Sequence, residues 1–142
     1  MKCKCLSLTQ PWAELVALGA KGLETRSWST KYRGPLAIHA AKRFPATAKA
    51  FAETERALDR LPSRLALGAI IAVVDLTQVQ PTEFLIGRLS GLEHYYGDYS
   101  PGRFAWRLDN VRRLANPVPF KGSLGLFDIP WSAAELLQRK EE

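Results

Sequence analysis

From Leu67 to Val79 the chain reads Leu-Gly-Ala-Ile-Ile-Ala-Val-Val-Asp-Leu-Thr-Gln-Val, rich in branched apolar residues and with Asp75 as its only charge. Such side chains pack well on a pleated surface, and without a simple alternation the run has no wet face. It predicts a long strand buried on both sides over much of its length.

The rest of the chain predicts several shorter elements around that strand. Leu6 and Leu8 alternate with Ser7 and Thr9 as a first strand. Pro11 suits the first turn of a helix and Gly19 its end, with Trp12, Leu15 and Val16 as the buried stripe. A strand starts near Leu23 after Lys21 in a loop, Ser29 to Gly34 is turn-like, and Pro35 to Ala41 alternates again. Leu36 and Ile38 then share one face and His39 takes the other. The spacing of Ala48, Phe51, Ala52, Leu58 and Leu61 predicts the longest helix from Pro45 to Leu61, ended by Pro62.

Between Pro81 and Gly102 four Gly, two Pro and three Tyr predict a mobile loop with short elements, one that could cover a site. Phe104, Trp106 and Leu108 alternate with Arg103, Arg107 and Asp109 as a strand with one charged face. Val118 to Gly122 and Leu126 to Ile129 read as further short strands, and Ser132 with Glu135 forms a capping box for a last helix. Many short strands, few helices and no regular βαβ alternation predict one α+β domain over residues 1–142. Its core is a closed or nearly closed β-barrel of about five to seven strands with flanking helices.

With 142 residues and 46% hydrophobic content, the chain is long enough to bury a core of its own. The net charge of +6 is unevenly placed, because residues 1–45 hold eight Lys or Arg against two Glu while residues 46–142 hold twelve against twelve acids. A basic excess concentrated in the first third predicts a positive surface for phosphates or other anions. Cys3 and Cys5 are the only cysteines, and positions that close on one strand make a poor disulfide. With no secretory h-region and no apolar stretch of membrane-spanning length, the expectation is a reduced, cytoplasmic, soluble chain with no membrane partner. Two cysteines and two distant histidines are too few for a structural zinc site, so no metal and no cofactor is expected.

The most informative motif for function is Gly19-Ala-Lys-Gly-Leu-Glu-Thr-Arg-Ser-Trp28. On an extended strand Glu24, Arg26 and Trp28 share one side while Leu23, Thr25 and Ser27 take the other. Lys21 and Glu24 could serve as a base or nucleophile pair if burial lowers the lysine pKa, or could be an ordinary ion pair. Arg26 could grip a phosphate in bidentate fashion or pair with Glu24. Trp28 suits stacking on a base as well as ordinary packing, and Tyr32 and Arg33 are similar. His39 is either a satisfied structural histidine or a catalytic one, with Lys42 and Arg43 extending the basic strip beyond it. Trp12 and Trp106 read as core. No nucleophile elbow and no Gly-x-x-x-x-Gly-Lys loop is present, so the corresponding hydrolase and nucleotidase classes lose support.

Leu6-Ser7-Leu8-Thr9-Gln10-Pro11-Trp12-Ala13, the Gly-x-Lys-x-x-Glu-x-Arg run at 19–26, Ser27-Trp28 and Tyr32-Arg33-Gly34-Pro35-Leu36-Ala37-Ile38-His39-Ala40 together resemble the ASCH domain, the activating-signal-cointegrator homology family. Phe104-Ala105-Trp106 and Pro119-Phe120-Lys121-Gly122-x-x-Gly-Leu-Phe extend the resemblance over most of the chain. It implies a PUA-like β-barrel whose relatives bind RNA, with the Gly-x-Lys-x-x-Glu-x-Arg motif lining a cleft beside the barrel. Together with the basic first third, this makes nucleic acid the expected partner, RNA in preference to DNA, with Lys21, Glu24, Arg26, Ser27, Trp28, Tyr32, Arg33, His39, Lys42 and Lys121 as the candidate contacts. Some small bacterial relatives are enzymes, an amidohydrolase on N4-acetylcytidine and a ribonuclease among them. That amidohydrolase branch has a threonine where this chain has Glu24, which removes the hydroxyl nucleophile. A hydrolase here would use Lys21 and Glu24 as its catalytic pair. A protein-interaction adaptor is the third possibility.

Overall fold

The computed structural model describes residues 2–139. The chain runs β1 (Cys3–Leu8), α1 (Trp12–Ala17), β2 (Leu23–Arg26), β3 (Gly34–Ala40), α2 (Ala46–Ala57), β4 (Ala69–Pro81), a 3₁₀ turn (Thr82–Leu85), α3 (Gly91–Tyr96), β5 (Phe104–Pro119), β6 (Leu126–Ile129) and α4 (Ala133–Gln138). One six-stranded sheet has the order β2-β5-β4-β3-β1-β6. It is mixed, since β1 runs parallel to β3 and the other described pairs are antiparallel.

The long apolar run becomes β4, paired with β3 on one edge and with β5 on the other. Its side chains divide between two cores. Ile71, Ala72, Val74 and Leu76 join Leu6, Leu8, Leu36, Ile38 and Trp106 under α1, while Ile70 and Val73 join Cys3, Cys5, Ala37, Val118 and Ile129 under Leu136 of α4. This is why the run lacks alternation: helices cover both faces of the sheet, so neither register needs polar residues. Both cysteines are free and buried. Desolvation holds both thiols protonated, with pKa values above the ordinary one.

Three expectations need correction. The segments expected as separate strands at Phe104 and Val118 are parts of one 16-residue strand, β5. Asn110 adopts φ 51 inside it, and the ladder with β4 shifts register at three places, so turn-like residues are absorbed as irregularities. Helix α2 ends at Ala57, before Pro62. The sheet also does not close into a barrel. Among the described residues the four-residue β2 pairs only with β5, and β6 covers β1 only from Cys3 to Leu6, so both edges stop short of each other.

A side chain spans part of that gap. Arg26 at the end of β2 donates from Nη2 to the Ser7 carbonyl of β1 at 2.9 Å, joining the two margins of the sheet without a strand ladder. The open seam beside this contact is where the main cleft lies.

Candidate nucleic-acid interface

The cleft at the seam has a volume of about 670 Å³. Lys21, Glu24, Thr25, Arg26, Ser27 and Trp28, all from the motif, line one side. The Lys21 loop is pinned from three directions. Lys21 N–H donates to Leu15 O of α1 at 3.1 Å, Gly22 O accepts from Leu108 N–H of β5 at 2.9 Å, and Gly22 N–H donates to Glu93 Oε2 of α3 at 2.7 Å. Gly19 turns the chain out of α1 at φ 79, a backbone region open to glycine.

Lys21 forms part of the cleft floor, its side chain only 2% exposed. Nζ donates to Leu23 O at 2.6 Å and lies 3.6 Å from Glu24 Oε1. Burial pushes the ammonium below the ordinary lysine pKa, against the opposing pull of Glu24 and Glu93. The other oxygen of Glu24 sits 3.0 Å from Arg26 Nε. Arg26 therefore pairs with Glu24 and anchors the seam, yet its side chain remains about a quarter exposed to the cleft. Both structural pairing and an open face are present at once.

Trp28 stands beyond the end of β2, edge-on to the buried Trp106 ring at 4.8 Å between centroids. It is half-buried, packed on the core along one side and lining the cleft along another. The opposite parts of the lining come from elements that the motif alone does not reveal. Trp12 of α1 meets Phe51 of α2 at 5.2 Å, and Phe51 stacks on Tyr95 of α3 at 5.1 Å. Trp12, Tyr95 and Tyr96 all face the cleft. Helix α2 starts beside it with Pro45, Thr47 and Ala48 in the lining, no side-chain cap and no acid in its first turn. Its unpaired N–H groups favour an anion there.

The segment expected as a loop with short elements carries a 3₁₀ turn and α3, and it is hydrogen-bonded to the site. Asp98 N–H donates to Thr25 Oγ1 at 3.2 Å, and Arg103 Nη2 donates to Thr25 O at 3.0 Å. Tyr96 donates to Glu55 Oε1 of α2 at 2.6 Å, tying the two helices that flank the cleft. The lining carries Lys21, Arg26 and Arg103 against Glu24 and Asp98, so its charge is mixed rather than uniformly basic.

The other residues singled out in the sequence stand outside the cleft. Tyr32 packs against the core beneath β3 and donates to Pro35 O. Arg33 is exposed and bonds to the Thr30 and Tyr32 carbonyls within its own turn. Lys42 and Lys121 are exposed on connecting segments. His39 is buried on the second core face, where Nε2 lies 2.7 Å from Phe120 O and Nδ1 lies 2.8 Å from Ser7 Oγ. A carbonyl only accepts, so Nε2 carries the proton and, in the neutral ring, Nδ1 accepts from Ser7.

A mixed, helix-flanked sheet with a cleft at its open seam defines an α+β protein of PUA-like architecture. The chain belongs to the ASCH domain family, whose model matches residues 6–118. Its fold resembles the crystal structure of ASCH from Zymomonas mobilis with a TM-score of 0.58 at 14% identity, over 94% of this chain and 92% of that one. A serine-to-alanine variant of that protein aligns with a TM-score of 0.56 at 17% identity, over 89% of this chain and 87% of the other. Activating signal cointegrator 1 of Homo sapiens and of Mus musculus is 51% identical over 41 residues, which is 29% of this chain and 7% of each relative. The match thus spans a small part of those longer proteins. The PUA-like family is generally linked to RNA binding.

Among the described residues, no helix is long and apolar enough to cross a membrane. None of their His, Cys, Asp and Glu side chains form a group of three or more suited to a metal ion.

Proposed function

We propose that the seam cleft binds RNA or another single-stranded nucleic acid. One observation carries the reading: Trp12, Trp28, Tyr95 and Tyr96 share a single open cleft with Lys21, Arg26 and Arg103. Rings that stack on any unpaired base, set beside cations that meet phosphates, are the chemistry a single strand requires. The uncapped start of α2 adds backbone donors for a phosphate. Glu24 and Asp98 supply acceptors for base amino groups, which a purely basic groove would lack.

Fluorescence anisotropy with a labelled single-stranded RNA tests this. Three phosphate contacts predict an affinity loss of about twentyfold between about 50 and about 200 mM salt. Arg26→Ala should weaken binding at least about tenfold. Undetectable association with both RNA and single-stranded DNA, or binding indifferent to salt, overturns the reading.

Lys21 favours a second reading, a hydrolase on RNA or a modified nucleoside. A buried lysine of lowered pKa beside a carboxylate in an open cleft is suited to chemistry: Glu24 would take a proton from water and Lys21 would stabilise the developing oxyanion. Turnover abolished by Lys21→Met in a folded protein would support it. No turnover of RNA or acetylated cytidine by the parent chain would remove that support.

A further inference from the structure

Lys21 needs more counter-charge than its own motif provides. Glu24 lies between two cations, with Lys21 at 3.6 Å from one oxygen and Arg26 at 3.0 Å from the other. A lysine this deeply withdrawn from water and sharing its only motif carboxylate tends to release its proton. A second carboxylate arrives from elsewhere in the fold. Glu93, on α3, accepts the Gly22 N–H through Oε2 at 2.7 Å, and its field acts on Lys21 in the same sense as that of Glu24.

Two details show that this approach is built in. A Cβ at position 22 would meet Glu93 Oε2 at 3.2 Å, so the glycine next to Lys21 leaves the space that the carboxylate uses. Glu93 Oε1 is buried and has no hydrogen-bond partner among the described residues, so half of the carboxylate is committed to no other group while its charge acts on Lys21. The charges acting on Lys21 are Glu24 and Arg26 from β2 and Glu93 from α3, and the same two carboxylates act on the phenol of Tyr99, beyond α3. Burial and these two negative charges keep the Tyr99 phenol protonated, so it adds no charge of its own.

We propose that Glu93 is a positioning residue for Lys21, fixing the Lys21-Gly22 loop through the Gly22 N–H and supplying the second negative charge that keeps Lys21 an ammonium at the cleft floor. The role assigned to Lys21 as a ligand contact rests on the nucleic-acid reading above. The charge state of Lys21 does not depend on that reading and can be measured without ligand.

The decisive experiment follows the Lys21 Cε and Nζ resonances by NMR against pH in the full chain, in the parent and in Glu93→Gln. The amide oxygen can still accept from Gly22 while the charge is gone. The Lys21 midpoint should fall by about one pH unit, a tenfold loss of proton affinity. Gly22→Ala, which presses on the carboxylate without removing it, should move the midpoint the same way and serves if Glu93→Gln does not fold. An unchanged midpoint in the folded variant overturns the proposal.

Binding of a labelled single-stranded RNA is then followed over the same pH range. Affinity should decay at lower pH in Glu93→Gln than in the parent. A parent that binds no RNA removes the functional reading while the NMR midpoint still decides the role of Glu93. A parent that binds RNA, with the same Lys21 midpoint in parent and variant, removes the Glu93 proposal alone.

Discussion

Lys21 and His39 are both about 1% exposed and both polar, but they belong to opposite kinds of site. His39 is closed in: each ring nitrogen has a partner, and a Cβ on Gly122 would lie 2.7 Å from its Cε1. It stitches β1, β3 and the segment after β5 into one unit. Lys21 has one carbonyl, a shared carboxylate and an open cleft beyond it. Burial alone does not separate a structural polar group from a functional one. The two sites differ in geometry, satisfied partners in one and an adjoining cavity in the other, and the proposed binding role of Lys21 rests on that difference.

The largest effect that would break this contrast is on stability. His39→Leu leaves the Phe120 carbonyl and the Ser7 hydroxyl without their partner, for an expected loss of about 3 kcal/mol in urea unfolding. RNA affinity of the folded fraction should stay within about twofold of the parent, because the ring does not line the cleft. A stable variant that has lost binding would move His39 into the functional class.

Lys21 predicts the reverse pattern, with a sign that can be checked. Its folded pKa lies below the ordinary 10.5, so in the window between those values the unfolded chain binds more protons than the folded one. Stability of the parent relative to Lys21→Met should therefore rise as pH climbs toward 10.5, by at most about 1.4 kcal/mol for each pH unit that the window spans. RNA binding should fall through the same window as the ammonium is lost. A stability difference that ignores pH would mean that Lys21 titrates like a surface lysine.

The sequence made half of this contrast legible. Alternation and the Gly-x-Lys-x-x-Glu-x-Arg spacing put Glu24 beside Arg26 and Lys21 at a strand mouth, and both follow from local geometry. The capping box at Ser132 and Glu135 is likewise local, and it forms as expected. What was hidden depends on distant pairings. Glu93 meets Gly22 across 71 residues of sequence, and Tyr95 lines the cleft from α3, in ring contact with Phe51 of α2, which in turn meets Trp12 of α1. Trp12 looked like plain core because its helical stripe predicts burial without saying which ring edge stays open. The open seam was hidden for a similar reason, since no local pattern states that β2 stops after four residues.

The smallest expected effect sharpens the boundary of the site. Lys42 and Lys121 belong to the basic motif strip and the closing segment, but neither lines the cleft that Lys21, Arg26 and Arg103 share. Solvated charges beyond about one Debye length of a phosphate, roughly 8 Å at physiological salt, contribute little to binding. Lys42→Ala and Lys121→Ala should each change RNA affinity by less than about twofold at that ionic strength, with the salt slope unchanged. A loss comparable to that of Arg26→Ala, together with a shallower salt slope, would show that the strand leaves the cleft and continues over the surface carrying those lysines. The seam would then be one part of a longer track, and the division between a closed histidine site and an open lysine site would have to be redrawn around the path of the backbone phosphates.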